Sequence, residues 1–537
     1  MTDTGTALLR IVALSRRGAL DHALRLFHAE GFADVQDDAA VLALKGRLLK
    51  DEALLASGAT RRAKAAAAGD AYAASALIAP APYPLINAAT LALIAGDRAE
   101  AARRADEVLA LMAREVADET AYWLAATEAE ALLLKGEIAT AKAALARAIE
   151  GAPLAWEDHA STLRQFAVIL TQLGEDSAWL APFLPPRSLY YTGQMAPLLP
   201  EEEIVRQVRQ VVAVENVGFG FGSLAAGADI VVAECLLELG VELAVHLPLR
   251  VDPFTEVSVR PFGSHWVDRF RRTLAAASQT MILGDEGETG EAGLDSLVEL
   301  ADLVAMGRTV MSASMLQSEA VQLVVGETPG TGAPEGHSAR AASLWRGAGR
   351  RQHIVASGRA VPGTADRADG VRLVSILAAE FGSPEGSRLA MLARAGGTLA
   401  AAAPVLADAS LATPPRWSSS RLLLAWDDPA DALRSAIALA RAATAPTPMR
   451  LGLHIGPAVA IGSETVPALV GPAFQLAERV AEIADTGSIF ASGPFAAALR
   501  AGSANCVRME FIGELAGMTE RDACELYVIR PSDDEFL

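Results

Sequence analysis

Gly193 closes one apolar run of the chain, and Gly222, Ser223 and Gly227 lie between a second run and a helical stretch that starts near Ala228 or Asp229. Glycines in such a turn let backbone amides approach an anionic ligand, and a helix N-terminus adds about half a positive charge there. The chemistry these residues could do is phosphate binding, although any tight strand-to-helix turn uses the same types. Asp229 reads two ways: as an N-cap, or as a carboxylate that takes up a ribose hydroxyl or a metal, since beside a bare phosphate it is unfavourable. Other reactive patterns are missing from the sequence: it has no HExxH, no GxxxxGK[ST] loop, no GxSxG elbow and no clustered histidines. His246, His265 and His454 are scattered among apolar neighbours and read as packed core residues.

Three kinds of sequence must position these residues. From residue 1 to about 185 the chain lacks β-branched alternation and follows helical periodicity built from Ala, Leu, Glu, Arg and Lys. Gly96, Gly136 and Gly174 recur at 40 and 38 residues, the spacing of stacked helical hairpins, with Ala99, Ala101 and Ala102 expected at a close helix approach. These units resemble tetratricopeptide repeats, longer than the usual 34 residues or so, and an irregular bundle is the alternative. From Ser188 strand-like runs alternate with helices, which predicts a parallel sheet with right-handed crossovers and a loop containing DPF and SV after residue 249. The segment 359–370 reads as a polar linker, and 371–537 as a mixed, ferredoxin-like sheet with helices on one face. The expected architecture is therefore an all-α helical-repeat domain (1–186), an α/β Rossmann-like domain (187–358), a linker and an α+β domain (371–537).

Charge and composition exclude several functions. Lys+Arg 46 against Asp+Glu 65 gives a net charge of −19, which repels a phosphate backbone, so no nucleic-acid partner is expected. The 52% hydrophobic content comes largely from Ala in runs too short to span a bilayer, so no membrane partner is expected either. Cys235, Cys506 and Cys524 form no CxxC pair, and the first residues lack a signal-peptide layout; a cytoplasmic location follows as an expectation.

The succession SLYYTGQM, FGSLAAGADIVVAE, ELAVHLPL and WVDRF resembles the SLOG superfamily of Rossmann-like domains, with Gln194 standing where close relatives carry a His. The resemblance implies that Gly193, Gly222, Ser223, Gly227, Asp229 and Glu234 line a cleft for a nucleotide or nucleotide-derived molecule at the carboxyl ends of the strands.

RLLLAWDDPADALRSAIALARA, RLGLHIGPAV, VGPAFQLAERVAEIADTGSIFASG, FIGELAGM and ELYVIR together resemble the class III adenylate/guanylate cyclase homology domain. Active members hold two divalent ions on two Asp; here those positions fall at Leu377 and Ser420, neither of which supplies an anionic oxygen. The purine-reading Asp falls at Ala468, the purine-reading Lys near Arg416, the transition-state Asn at Gln475 and the transition-state Arg at Arg479. Arg479 and Arg416 equally read as solvated surface charge, Arg479 with Glu478, Glu482 or Asp485. The implied function is a bacterial-type signalling or scaffold protein. Its helical repeats bind a protein partner, its middle domain senses a nucleotide, and its degenerate cyclase-like domain forms a homo- or heterodimer, with no metal site and no cofactor. The alternatives are a heterodimeric cyclase subunit supplying Arg479, or a nucleotide-processing enzyme acting through Asp229 and Glu234.

Overall fold

The computed structural model describes residues 3–16, 20–114, 119–284, 293–326, 336–358, 370–382, 388–408, 410–418, 420–443, 449–463, 466–502, 507–515 and 524–531. Nearly all of the expected linker and Cys506 lie outside them. The described chain divides into two compact units, Met1–Pro185 with Met315–Gln317, and Pro186–Ser314 with Ser318–Leu537.

The first unit is helical: α1 (Asp3–Arg16), α2 (Leu20–Ala29), α3 (Ala39–Leu55), α4 (Gly58–Ile78), α5 (Pro82–Ala95), α6 (Arg98–Met112), α7 (Ala121–Leu134), α8 (Ile138–Gly151) and α9 (Trp156–Leu173). Gly96, Gly136 and Gly174 end α5, α7 and α9 with φ of 102°, 81° and 75°, a left-handed stop that a Cβ would strain. After Gly96, Asp97 accepts a hydrogen bond from the Glu100 amide and starts α6. Close helix approach rests on Ala101 and Ala105, both fully buried, whereas Ala99 is exposed: the contact stripe follows the four-residue step.

The second unit contains two sheets. The first is six-stranded and wholly parallel, in the order β4-β3-β2-β1-β5-β6. Its strands are β1 (Arg187–Gly193), β2 (Val217–Gly222), β3 (Glu242–Leu247), β4 (Gln279–Ile282), β5 (Ala320–Gly326) and β6 (Arg351–Ala356). Between them run α10 (Glu201–Glu215), α11 (Ala228–Glu238), α12 (Val251–Ser258), α13 (Ser264–Ala276), α14 (Leu294–Met315) and α15 (His337–Gly347). Residues 251–258, read as loop from the sequence, are helical because Phe254 is buried against Phe270 of α13 at a ring separation of 5.8 Å. The strand order reverses between β1 and β5, and a cleft at the carboxyl edge of such a sheet opens at that point.

The second sheet is mixed and eight-stranded, β13-β14-β12-β10-β7-β9-β8 with β11 on β10, and only β10 and β12 run parallel. It comprises β7 (Val371–Phe381), β8 (Arg416–Ser418), β9 (Arg421–Trp426), β10 (Met449–Ser463), β11 (Val466–Val470), β12 (Ile489–Ser492), β13 (Val507–Leu515) and β14 (Cys524–Pro531). Its helices are α16 (Arg388–Asp408), α17 (Pro429–Ala442), α18 (Pro472–Ile483) and α19 (Gly493–Ala501). They cover both faces, not one. Val374, Ile376 and Ala378 pack with Phe474 and Ala477 of α18, while Leu377, Ala379 and Phe381 share a core with Met391, Leu433 and Phe495 of α16, α17 and α19. The reason is visible in β7, where both parities of VSILAA are apolar, the pattern of a strand buried on each side.

Candidate functional site

Four successive residues of β1 each tether a different element at the point where the parallel sheet reverses. Tyr190 donates to Asp302 of α14 at 2.8 Å, and Tyr191 donates to the Ser223 carbonyl at 3.0 Å. Thr192 shares a hydroxyl contact with Ser338 of α15 at 3.2 Å, and the Gly193 amide donates to Asp229 at 2.8 Å. The second Asp229 oxygen accepts from the Ala225 amide at 3.3 Å. Asp229 is 6% exposed, and burial, with the neighbouring Asp302 carboxylate adding to it, pushes its carboxyl up to about 8. Burial also raises Asp302, opposed by His337 and by the Tyr190 hydrogen bond. At the entrance to α15, His337 binds Asp295 of α14 at 2.5 Å and is contacted by Arg340 at 2.9 Å.

This arrangement brings Gly193, Gly222, Ser223, Gly227 and Asp229 together and excludes Glu234. Glu234 faces α13, where Arg269 holds it at 2.5 Å and also binds Glu201 at 2.7 Å while stacking on Trp266. The glycines are required by packing. A Cβ on Gly193 would stand 2.4 Å from the Ala228 Cβ, one on Gly222 would stand 2.6 Å from the Tyr191 carbonyl, and Gly227 has a φ of 100°. Because Asp229 already fills two turn amides, an approaching phosphate meets a carboxyl group there before it meets free N–H donors. Gln194 donates to the carbonyls of Ser357 and Gly358, both at 2.7 Å, and so ties the end of β1 to the end of β6. Asp295, Asp302, His337, Ser338 and Arg340 were not singled out from the sequence. The available signal was the spacing of Asp295, Glu299 and Asp302 at i, i+4 and i+7, an acidic line on an otherwise apolar helix.

A second candidate site is a cleft of about 370 Å³ in the eight-stranded half, lined by Arg416, Trp417, Leu423, Val470, Gly471, Phe474, Gln475 and Glu478. The β8–β9 hairpin supplies Arg416 and Trp417, and the start of α18 supplies the rest of its polar wall. Arg416 donates to the Leu469 carbonyl at 2.9 Å with its guanidinium 4.9 Å from the centre of the Phe474 ring. Trp417, 45% exposed, stacks on Phe381 at 5.7 Å. Aromatic faces, a cation and an amide in one cleft suit a flat, polar ring. Gln475 and Arg416 therefore share a site, and Ala468 is exposed on the neighbouring β11. Arg479, one turn beyond Gln475, lies near enough to Cys524 to act on its thiol, which burial raises.

Leu377 is fully buried at the centre of β7, paired with Leu453 of β10 and Leu424 of β9. Ser420 lies at the β8–β9 turn, and its carbonyl accepts from the Phe381 amide at 2.9 Å. His246 and His454 are both buried. Burial, with Arg308 adding to it, lowers His246 to about 3, and burial lowers His454 to about 4, so both are neutral core residues.

A protein-family profile described as Tetratricopeptide Repeats-Sensor matches residues 3–92. No curated protein matches the chain. Among solved structures, the adenylyl cyclase CyaB from P. aeruginosa is similar at 14% identity and a TM-score of 0.27, over 31% of this chain and 98% of that one. The guanylate cyclase domain of RhGC from Catenaria anguillulae, in complex with GTP, is similar at 14% identity and a TM-score of 0.26, over 30% and 97%. An adenylate/guanylate cyclase/hydrolase from Silicibacter pomeroyi is similar at 20% identity and a TM-score of 0.26, over 30% and 98%.

Proposed function

We propose that this chain is a signalling protein whose cyclase-like half recognises a nucleotide and assembles with a second copy without cyclising. The helical unit recruits a protein partner, and the parallel-sheet half senses a nucleotide or nucleotide derivative. One observation carries the reading: the position that would need a metal-binding carboxylate is Leu377, packed at 0% exposure between Leu453 and Leu424. A side chain so enclosed by hydrocarbon cannot be exchanged for an anion without disrupting the core, and Ser420 at the other position offers only a neutral hydroxyl. The cleft at the β8–β9 edge of the same sheet keeps groups suited to holding a base, namely Arg416, Trp417 and Gln475.

Assembly is supported by β10 and β11. Val459 and Ile461 face Val470 and Ala468 directly across the ladder, and all four are exposed, leaving an apolar ladder open on one side of the arm.

The test is to incubate the full chain with ATP or GTP and Mg²⁺ or Mn²⁺, and to titrate a fluorescent GTP analogue in parallel. The expected result is saturable binding, weakened about tenfold by Trp417→Ala, at the roughly 1–3 kcal/mol that stacking a base is worth, with no cyclic nucleotide formed. Cyclic nucleotide appearing at ordinary turnover, or binding that ignores Trp417→Ala, overturns the reading.

A further inference from the structure

The elements that converge on β1 do not end there. Helix α14 leaves the cluster at Asp295 and Asp302 and within two turns reaches the eight-stranded half. Gly307 lies so close to α19 that an added Cβ would stand 1.9 Å from the Ala497 carbonyl oxygen. The next residue, Arg308, binds Glu525 of β14 at 2.5 Å, and the same Glu525 oxygen accepts from the Tyr527 hydroxyl at 2.9 Å. Helix α15 leaves the cluster at His337 and Ser338 and is followed by Arg350, which donates to the carbonyls of Arg500, Ala501 and Gly502 at 2.7, 2.6 and 2.7 Å. Those carbonyls are the open C-terminal end of α19, where the helix dipole favours a cation. The Arg350 guanidinium also lies 5.2 Å from the centre of the Trp345 ring, and Trp345 shares one apolar cluster with Tyr190, Met306 and Ala501. Each of the two helices thus has one end in the cluster and a second, charge-assisted grip on α19 or β14.

We propose that α14 and α15 couple the β1 cluster to α19 and β14, so that a change in how Asp302 is held changes the seating of α19. A backbone contact with no room for a methyl group passes on a displacement that a looser interface would absorb. The coupling concerns the chain's own helices and stands whether or not either cleft takes a nucleotide.

Hydrogen exchange of the full chain, read by mass spectrometry, tests it. Tyr190→Phe removes only the hydroxyl that holds Asp302, and Asp302→Asn perturbs the same bond from the other side. The expected result is exchange about threefold or more faster in peptides covering 493–502 and 524–531, a local loosening well below global unfolding. With Arg308→Gln and Arg350→Gln both present, Tyr190→Phe should still loosen 294–302 and should move 493–502 less, through the Gly307 contact alone. Should that background not fold, Arg350→Gln alone serves, with the transmitted effect expected to shrink. The proposal is overturned if neither perturbation changes α19 in the otherwise native chain, or if the change is the same with the arginines replaced. A cyclase-like half that binds the GTP analogue yet shows no transmitted exchange would sink the coupling and leave the proposed function standing.

Discussion

Replacing Asp229 by Asn should make the protein more stable at neutral pH and flatten its dependence on pH. The carboxyl is raised to about 8 in the folded chain and sits near 3.9 when unfolded. Between those values the native state binds a proton that the unfolded state does not, so stability is complete below about pH 4 and falls as pH rises toward 8. At roughly 1.4 kcal/mol per unit, the carboxyl costs about 4 kcal/mol at pH 7 relative to a side chain that needs no proton. Asn copies the protonated acid in part: its carbonyl oxygen can still accept from the Gly193 amide at the 2.8 Å position, whereas its NH2 group cannot accept from the Ala225 amide and gives up that weaker 3.3 Å contact, a loss that is the same at every pH. The assay is thermal unfolding of the full chain from pH 5 to 8, wild type against Asp229→Asn, following the transition of the second unit. The expected curves lie closest at pH 5, where the carboxyl costs only about 1.5 kcal/mol, and diverge as the pH rises, with the variant melting several degrees higher at pH 8. A wild-type melting temperature that is flat over this range, or a variant that keeps the wild-type slope, refutes the reasoning.

Leu377→Asp should not revive a metal site but should unfold the eight-stranded half, since an unpaired buried carboxylate costs upward of about 4 kcal/mol; far-UV circular dichroism and a cyclase assay read the two outcomes. Gly307→Ala should destabilise the second unit by at least the roughly 1–3 kcal/mol of an overpacked contact and so lower its melting temperature, whereas Gly347→Ala, where a Cβ meets nothing within 4 Å, should not lower it. Ile461→Glu places a charge in the exposed β10–β11 ladder and should shift sedimentation velocity from dimer to monomer with the fold intact. A dimer that survives it must form elsewhere.

What the sequence made legible was whatever local chemistry dictates. Gly96, Gly136 and Gly174 could be read because a left-handed helix stop has few residue choices, and β7 could be read residue for residue because its apolar run is long and bounded. The placement of the helices on that sheet was misread because one-sided burial was assumed for a strand apolar at both parities. β11 was missed because VPALV carries a proline and is only five residues long; it is a strand through its pairing with β10, a tertiary fact. The β1 cluster was half legible. Gly193 and Asp229 announce themselves in a turn motif, but Asp302 and Ser338 lie more than 70 residues from Asp229 and meet β1 only when the sheet closes. Glu234 had a plausible position and the wrong partner, since nothing local discloses that Arg269 will fold over it.

The three carbonyls held by Arg350 also decide where the chain can be dissected. A fragment stopping at Gly358 would leave that guanidinium and the bare flank of Gly307 in water, and one starting at Val371 would leave the last turn of α19 uncapped. Expression at the apparent linker should therefore give two poorly behaved pieces, while a cut just after Pro185 should release a body that stays whole.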